Sequence, residues 1–342
     1  MYEVTIGIPV FQAVDYIGAT MRSALAQTYP SIEFLVIDDC GGDGSMDVIE
    51  CLRREHQRGQ DIRILHNEKN IGVGPSRNRL IDEAQGSFIY FLDSDDQIEP
   101  NTIELMMSEA ILHHADVVYA SYEQIDNVRH SPTKHYVYPY QVIDEPEVLA
   151  NYAFRHYGHF QASVCNCLMD IKFLKAIKIR FIDAMYWEDM AFTYELVTMV
   201  NRAVLMPNIT YHYLCRPNSL SNYQDRIQLQ KEEILRNVST IDYLKWKCHQ
   251  LSGRTYVPYM CYNLEMNSFY IVCHVIKYRE RIVPGISDRD LRQIMHMPLP
   301  LREILRFRQC LFINLSLWFV VKLPIRLFMS VIKIIGRMKK VL

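Results

Sequence analysis

The first hundred residues predict an open α/β fold, with a mainly parallel central sheet flanked by helices, and three observations lead there. Strand-like and helix-like segments alternate, which implies right-handed crossovers between parallel neighbours. Among the strand-like runs, Phe88 to Leu92 is mostly apolar rather than alternating, as strands covered on both faces are. Three of them stop at residues suited to ligands, and in open α/β sheets ligands sit beyond the carboxyl ends of the strands.

The elements follow in order. Residues 4–10 read as a strand that stops where Pro9 removes a ladder donor. Ile17, Met21, Ala24 and Leu25 lie at helical spacing behind Asp15, a candidate cap. Residues 32–37 form a second strand that runs into Asp38-Asp39 and a glycine-rich turn. A helix over 46–54, a short strand over 62–65, a helix over 75–84 and a strand over 87–92 complete the series, and a further helix begins near Pro100-Asn101.

The strand ends gather chemistry on one sheet edge. Phe91-Leu92 drives into Asp93-Ser94-Asp95-Asp96. Mg²⁺ or Mn²⁺ is commonly held by one or two carboxylates together with substrate phosphates, and Asp93 and Asp95 have that chemistry and spacing. The plain alternative is a solvated turn capping the next helix. Pro9-Val10-Phe11 and Asp39 supply an aromatic face and a carboxylate, which suit a nucleobase and ribose. One edge is thus ordered like a nucleoside diphosphate and its metal.

Composition narrows the classes. The 342 residues are 49% hydrophobic and 22% charged, the balance of an ordered globular protein. Nine cysteines without a framework argue for reduced thiols, and with no signal peptide at the start the cytoplasm is the expected compartment. Cys165 and Cys167 lack a second ligand pair for zinc. No Gly-x-Gly-x-x-Gly turn follows the first strand, which argues against a dinucleotide-dependent dehydrogenase. Only the basic tail favours nucleic acid, so none is expected as a partner.

Ile8-Pro9-Val10-Phe11, Gln27-Thr28-Tyr29-Pro30, Leu35-Val36-Ile37-Asp38-Asp39, Asn70-Ile71-Gly72-Val73-Gly74-Pro75-Ser76-Arg77-Asn78 and Leu92-Asp93-Ser94-Asp95-Asp96 together resemble family 2 glycosyltransferases of the GT-A fold. Several motifs in order are far more specific than one, and the likeness thins toward Asn222. The resemblance implies that Pro9, Val10, Phe11 and Asp39 hold uridine and that Arg77 lies near the nucleotide. It also implies that Asp93, Ser94 and Asp95 form the DxD motif for Mn²⁺ or Mg²⁺. Trp187-Glu188-Asp189-Met190 is similar to the family's ED motif, which makes Asp189 the general base and Glu188 its support; the plain alternative is an acidic first helical turn. Tyr211 to Ser221 resembles the loop that approaches the diphosphate, with His212 as metal or phosphate ligand and Arg216 and Ser219 facing the leaving UDP.

Three departures stand out. Gln12 replaces the usual Asn, Cys40-Gly41-Gly42 replaces Gly-Ser-Thr, and Cys165-Asn166-Cys167-Leu168 stands where many relatives have Trp-Asn-Lys-Leu, so a cation near the donor is missing.

Three regions are expected. Residues 1–222 form the catalytic domain, with 1–100 as its nucleotide-binding half and 101–222 as its acceptor and catalytic half, including acceptor loops between Ser121 and Arg155. Residues 223–300 form a helical extension in which Ile234, Val238, Ile241 and Leu244 share one stripe, a candidate homodimer surface or simple packing. Residues 301–342 carry nine Lys or Arg against Glu303. Without an apolar run long enough to span, they read as a basic amphipathic tail on the cytoplasmic membrane face, with Trp318, Phe319 and Phe328 on the apolar side. A helical hairpin packed on protein is the alternative.

The resulting expectation is an inverting hexosyltransferase that moves a sugar from a UDP-sugar to a hydroxyl of a glycan acceptor, lipid-linked, in cell-surface polysaccharide synthesis. The alternative is a noncatalytic nucleotide-sugar-binding subunit that scaffolds a polysaccharide-assembly complex.

Overall fold

The structure, a computed structural model, describes residues 2–126, 131–156, 160–184, 187–215 and 228–342. The chain divides into two compact units, the first built from residues 1–149, 161–183 and 199–219 and the second from 150–160, 184–198 and 220–342. Segments 150–160 and 184–198, which the sequence reading counts with the N-terminal domain, group with the C-terminal helices.

The described elements, in chain order, begin with β1 (Val4–Val10), α1 (Ile17–Leu25), β2 (Ile32–Asp38), α2 (Ser45–Glu55), β3 (Ile62–His66), α3 (Val73–Glu83) and β4 (Phe88–Phe91). Next come β5 (Gln97–Ile98), α4 (Thr102–Leu112), β6 (Val117–Asp126), β7 (Ser131–Tyr136), β8 (Gln141–Ile143) and α5 (Val148–Arg155). They continue with β9 (Cys167–Asp170), α6 (Ile171–Ile177), α7 (Glu188–Leu196) and β10 (Ala203–Cys215). The rest are β11 (Leu229–Gln230), α8 (Lys231–Gln250), α9 (Val257–Lys277), β12 (Ile282–Val283), α10 (Asp288–Ile294), α11 (Leu301–Ile304), α12 (Leu311–Lys322) and α13 (Ile325–Met338).

In the first unit the sheet order is β3-β2-β1-β4-β9-β6-β10-β5, with β7 on β6 and β8 on β10. β3, β2, β1 and β4 are parallel, as the alternation predicts. Beyond β4 the sheet is mixed: β9 runs antiparallel to both β4 and β6, while β6 and β10 are parallel. β1 is buried along its whole length, and one core cluster joins it to α1, β2 and α4 through Ile6, Ile8, Met21, Phe34 and Met106. Glu33 inside β2 is tolerated because Thr5 Oγ1, Arg63 Nε and the Gln85 amide donate to it. Asp15 does not cap α1: the cap position is Tyr16, with no side-chain bond.

Asn166 joins the two halves of this sheet. Its amide donates to the Ala120 and Ser121 carbonyls of β6, at 2.7 and 2.8 Å, and its oxygen accepts from Tyr90 of β4 and Thr210 of β10. The segment after Ser121, expected as loops, instead continues β6 to Asp126 and pairs with β7.

In the second unit α8 and α9 form the core. Ile234, Val238, Ile241 and Leu244 are all buried, so this stripe is internal packing rather than a free dimer surface. Lys245 and Glu265 are buried together, Nζ lying 2.9 Å from Oε1, and Nζ donates to the carbonyls of Ile294 and His296. α12 is anchored by Asn314, which donates to the Pro258 and Cys310 carbonyls. α13 packs through Phe328, Met329 and Ile332. Phe328 therefore does not belong to an exposed apolar side, whereas Phe312, Phe319 and Leu327 remain exposed. Among the described residues no helix is long and apolar enough to cross a membrane.

Candidate active site

The carboxyl ends of β1, β2 and β4 in the first unit bring together most of the residues singled out by sequence. At the end of β1, Pro9 and Val10 are buried in the sheet, and Phe11 emerges 45% exposed. Gln12 and Cys40 both take positive φ, near 48° and 59°, so the loops after β1 and β2 turn sharply. Gly41 lets the two loops touch: a Cβ there would lie 2.6 Å from the Gln12 amide nitrogen. Asp43 ties them together by accepting from the Val14 amide and from Ser45 Oγ at 2.7 Å. Burial pushes its carboxyl up, but these hydrogen bonds outweigh it and hold the pKa below the usual value. Between the loops lies a cavity of about 320 Å³, lined by Val10, Gln12, Asp38, Gly41, Asp43 and Met46 among others.

The two acids ending β2 have different surroundings. Asp39 is buried, accepting from Asn67 Nδ2 and the Ile71 amide on one oxygen and from the Gly72 amide on the other. It pins the 67–72 loop that leads into α3, which uses three of about four acceptor positions of a carboxylate. Asp38, which the sequence reading left without a role, lines the cavity. It accepts from the Cys40 amide and meets His66 Nδ1 at 2.9 Å. The sequence signal was the pair itself: at the end of a buried strand, adjacent side chains point to opposite faces.

Arg77, on α3, is buried. Its Nη2 donates to Asp93 Oδ1 at 2.8 Å, and its guanidinium lies 5.6 Å from the Phe181 ring centre. The acid turn after β4 is held from beneath by Asp96, which accepts from the Tyr211 hydroxyl at 2.5 Å and the Leu214 amide at 2.8 Å. Asp96 is fully buried, so it is neither a solvated turn residue nor a helix cap; Asn101 occupies the cap position of α4. Burial raises its pKa well above the usual range, and the charges of Asp95 and Asp93 add to the rise. Asp93, Ser94 and Asp95 remain half-buried at the edge, and Thr20 Oγ1 donates to the Ser94 carbonyl.

His212 is placed elsewhere. Its Nδ1 meets Glu123 at 2.9 Å and its Nε2 meets Glu99 at 2.8 Å, so both ring nitrogens are taken by carboxylates. The ring joins β10 to β6 and to the residue that follows β5, and it has no nitrogen left for a metal in this arrangement. Among the described residues no group of three or more His, Cys, Asp or Glu forms a metal cage. The fit is that of a two-carboxylate site: crowded acids at a strand end, whose mutual repulsion a hard cation relieves, with the remaining ligands left to phosphate and water. Cys165 and Cys167 are buried thiols whose pKa burial raises, and Cys167 occupies the position at which the cation is missing.

Glu188 and Asp189 belong to the second unit and open α7, after Trp187 in a left-handed conformation (φ 63°). Glu188 is buried, and Asp189 is half-buried, with Oδ1 accepting from the Met190 amide at 2.7 Å. Arg216 and Ser219 lie outside the described residues.

A parallel half-sheet with an aspartate pair at the end of β2 and an Asp-Ser-Asp turn after β4 fits a GT-A glycosyltransferase architecture. The sequence model of glycosyl transferase family 2 matches residues 5–177, and the chain belongs to that family. It is 35% identical to the putative teichuronic acid biosynthesis glycosyltransferase TuaG of Bacillus subtilis, over 30% of this chain and 39% of that protein. It is 36% identical to the UDP-Glc:alpha-D-GlcNAc-diphosphoundecaprenol beta-1,3-glucosyltransferase WfgD of Escherichia coli, over 37% and 48%. The similarity thus spans less than half the length of either relative. The cholesterol galactosyltransferase of Borreliella burgdorferi is 22% identical over 93% of this chain and 96% of its own. Among solved structures, S. aureus TarS 1-349 in complex with UDP-GlcNAc superposes with a TM-score of 0.67 at 17% identity, covering 99% and 92% of the two chains. The mannosyltransferase PcManGT from Pyrobaculum calidifontis, in complex with GDP-Man and Mn2+, gives 0.55 at 12% identity, over 93% and 86%. At these identities the likeness is one of fold.

Proposed function

We propose that this chain is an inverting, metal-dependent glycosyltransferase that moves a sugar from a UDP-sugar to a hydroxyl of a lipid-linked glycan during cell-surface polysaccharide synthesis. The observation that carries the reading is the convergence of Phe11, the Asp38-Asp39 pair and the Arg77–Asp93 pair at one edge of the parallel sheet. The names of TuaG and WfgD support the polysaccharide setting, WfgD's diphosphoundecaprenol supports a lipid carrier, and the TarS complex supports a UDP-sugar.

In this reading Pro9, Val10 and Phe11 bound the nucleobase, with the Phe11 ring free to stack. Asp39 fixes the 67–72 loop beside it, and Asp38 offers a carboxylate to ribose or base. Asp93 and Asp95, with Ser94 between them, would hold Mn²⁺ or Mg²⁺, which when bound would supply positive charge against the diphosphate. Arg77 orients Asp93. Asp189 accepts the proton of the acceptor hydroxyl as its oxygen bonds to the anomeric carbon and the bond to the UDP oxygen breaks on the opposite face, inverting the centre. Glu188 supports Asp189, and Arg216 and Ser219 face the leaving diphosphate. The exposed apolar residues of α12 and the basic tail suit a cytoplasmic membrane face, where such an acceptor is carried.

Replacing Asp189 with Asn tests this. Sugar transfer falls by a factor of about a thousand or more while UDP affinity stays within about twofold. An unchanged rate contradicts the assignment of the base.

A further inference from the structure

The second unit contains a cavity of about 530 Å³ lined by four arginines, Arg155, Arg254, Arg306 and Arg308, against one carboxylate, Glu303. It forms where the end of α5, the turn between α8 and α9, and the stretch from α11 to α12 meet. One carboxylate cannot balance four guanidiniums, and Glu303 accepts from Ser252 Oγ. Arg155 is oriented by stacking over the Tyr259 ring at 5.1 Å and by Gln309 at 3.4 Å. Arg306 and Arg308 make no ion pair among the described residues. Several guanidinium forks around one concave space suit the oxygens of a phosphate, to which each fork donates in pairs.

The surroundings point to the source of that phosphate. α12 starts two residues after Gln309, the last lining residue, and its only buried side chain is Asn314. Phe312 is 84% exposed and Phe319 58%. From residue 304 to 342 there is no acid and there are eight Lys or Arg. Exposed aromatic residues beside cations match the boundary of an anionic bilayer, where rings enter the acyl region and cations meet headgroups.

We propose that the arginine cavity is a headgroup site for the phosphate of an anionic membrane lipid, seating the second unit on the bilayer next to α12. This rests on the membrane-surface part of the proposed function and not on the transfer chemistry. The test uses the full chain and vesicles of phosphatidylcholine alone or mixed with phosphatidylglycerol, with inorganic phosphate as the soluble probe. Truncating the tail is a poor variant, because α13 buries Phe328. Arg306→Ala/Arg308→Ala and Lys339→Ala/Lys340→Ala each remove two exposed positive charges. The proposal predicts binding to the anionic vesicles that falls about tenfold or more in the arginine pair and about threefold or less in the lysine pair. Arg306→Lys/Arg308→Lys, which keeps charge and loses the forks, falls in between. Equal losses in the two pairs overturn the site in favour of diffuse attraction. Phosphate binding that the arginine pair abolishes while vesicle binding persists assigns the cavity to a soluble anion and overturns the lipid. No vesicle binding by the wild-type chain refutes the membrane reading itself.

Discussion

Asp95 and Asp96 are neighbours with opposite duties. Asp96 is buried beneath the turn and satisfies a hydroxyl and an amide of β10, whereas Asp95 is half-buried at the edge. Asp96→Ala leaves the Tyr211 hydroxyl and the Leu214 amide without that partner, so it is expected to cost about 2–4 kcal/mol in urea unfolding. Asp95→Asn is expected to change stability by less than about 1 kcal/mol. The spacing of the DxD motif was legible in the sequence because it is chemical. The burial of the third acid was not, since it depends on Tyr211 and Leu214, more than a hundred positions away.

At the scale of elements, the parallel half was legible because each strand is a short apolar run followed by an amphipathic helix, and local sequence reports both. The second half was not, because β9 and β10 pair across long separations and β5 is two residues long. Asn166 shows what compensates: a single amide binding β4, β6 and β10. Asn166→Ala, which leaves several buried groups unmatched, is expected to lower the denaturant midpoint by the equivalent of about 3 kcal/mol with an unchanged m-value. The departure at Cys40-Gly41-Gly42 also becomes intelligible, since Gly41 is where the loop after β2 passes the Gln12 backbone. His212 illustrates the opposite case. A histidine in the right motif reads as a ligand, and only the two flanking glutamates, far away in sequence, show both nitrogens engaged.

Across the whole molecule, stability depends on a second core that carries its own charge pair. Burial raises Glu265 from an ordinary 4.5 to about 7, while Lys245 opposes the rise. The folded state therefore holds this proton where the unfolded state has lost it. Stability from this group falls as pH rises from about 4.5 to about 7 and is level above that. Glu265→Gln is expected to flatten this part of the profile in thermal unfolding followed against pH. Lys245→Met removes the charge that opposes the rise, so the fall in stability with pH is expected to extend above pH 7 in the same thermal profile.

The most direct measurement of the donor site is calorimetric binding of UDP and a panel of UDP-sugars, each with Mn²⁺, with Mg²⁺ and with EDTA, to the wild-type chain and to Asp95→Asn. Binding that requires the metal in the wild type and is lost in Asp95→Asn is the predicted result; no UDP binding under any condition, or binding indifferent to both metal and Asp95, contradicts it.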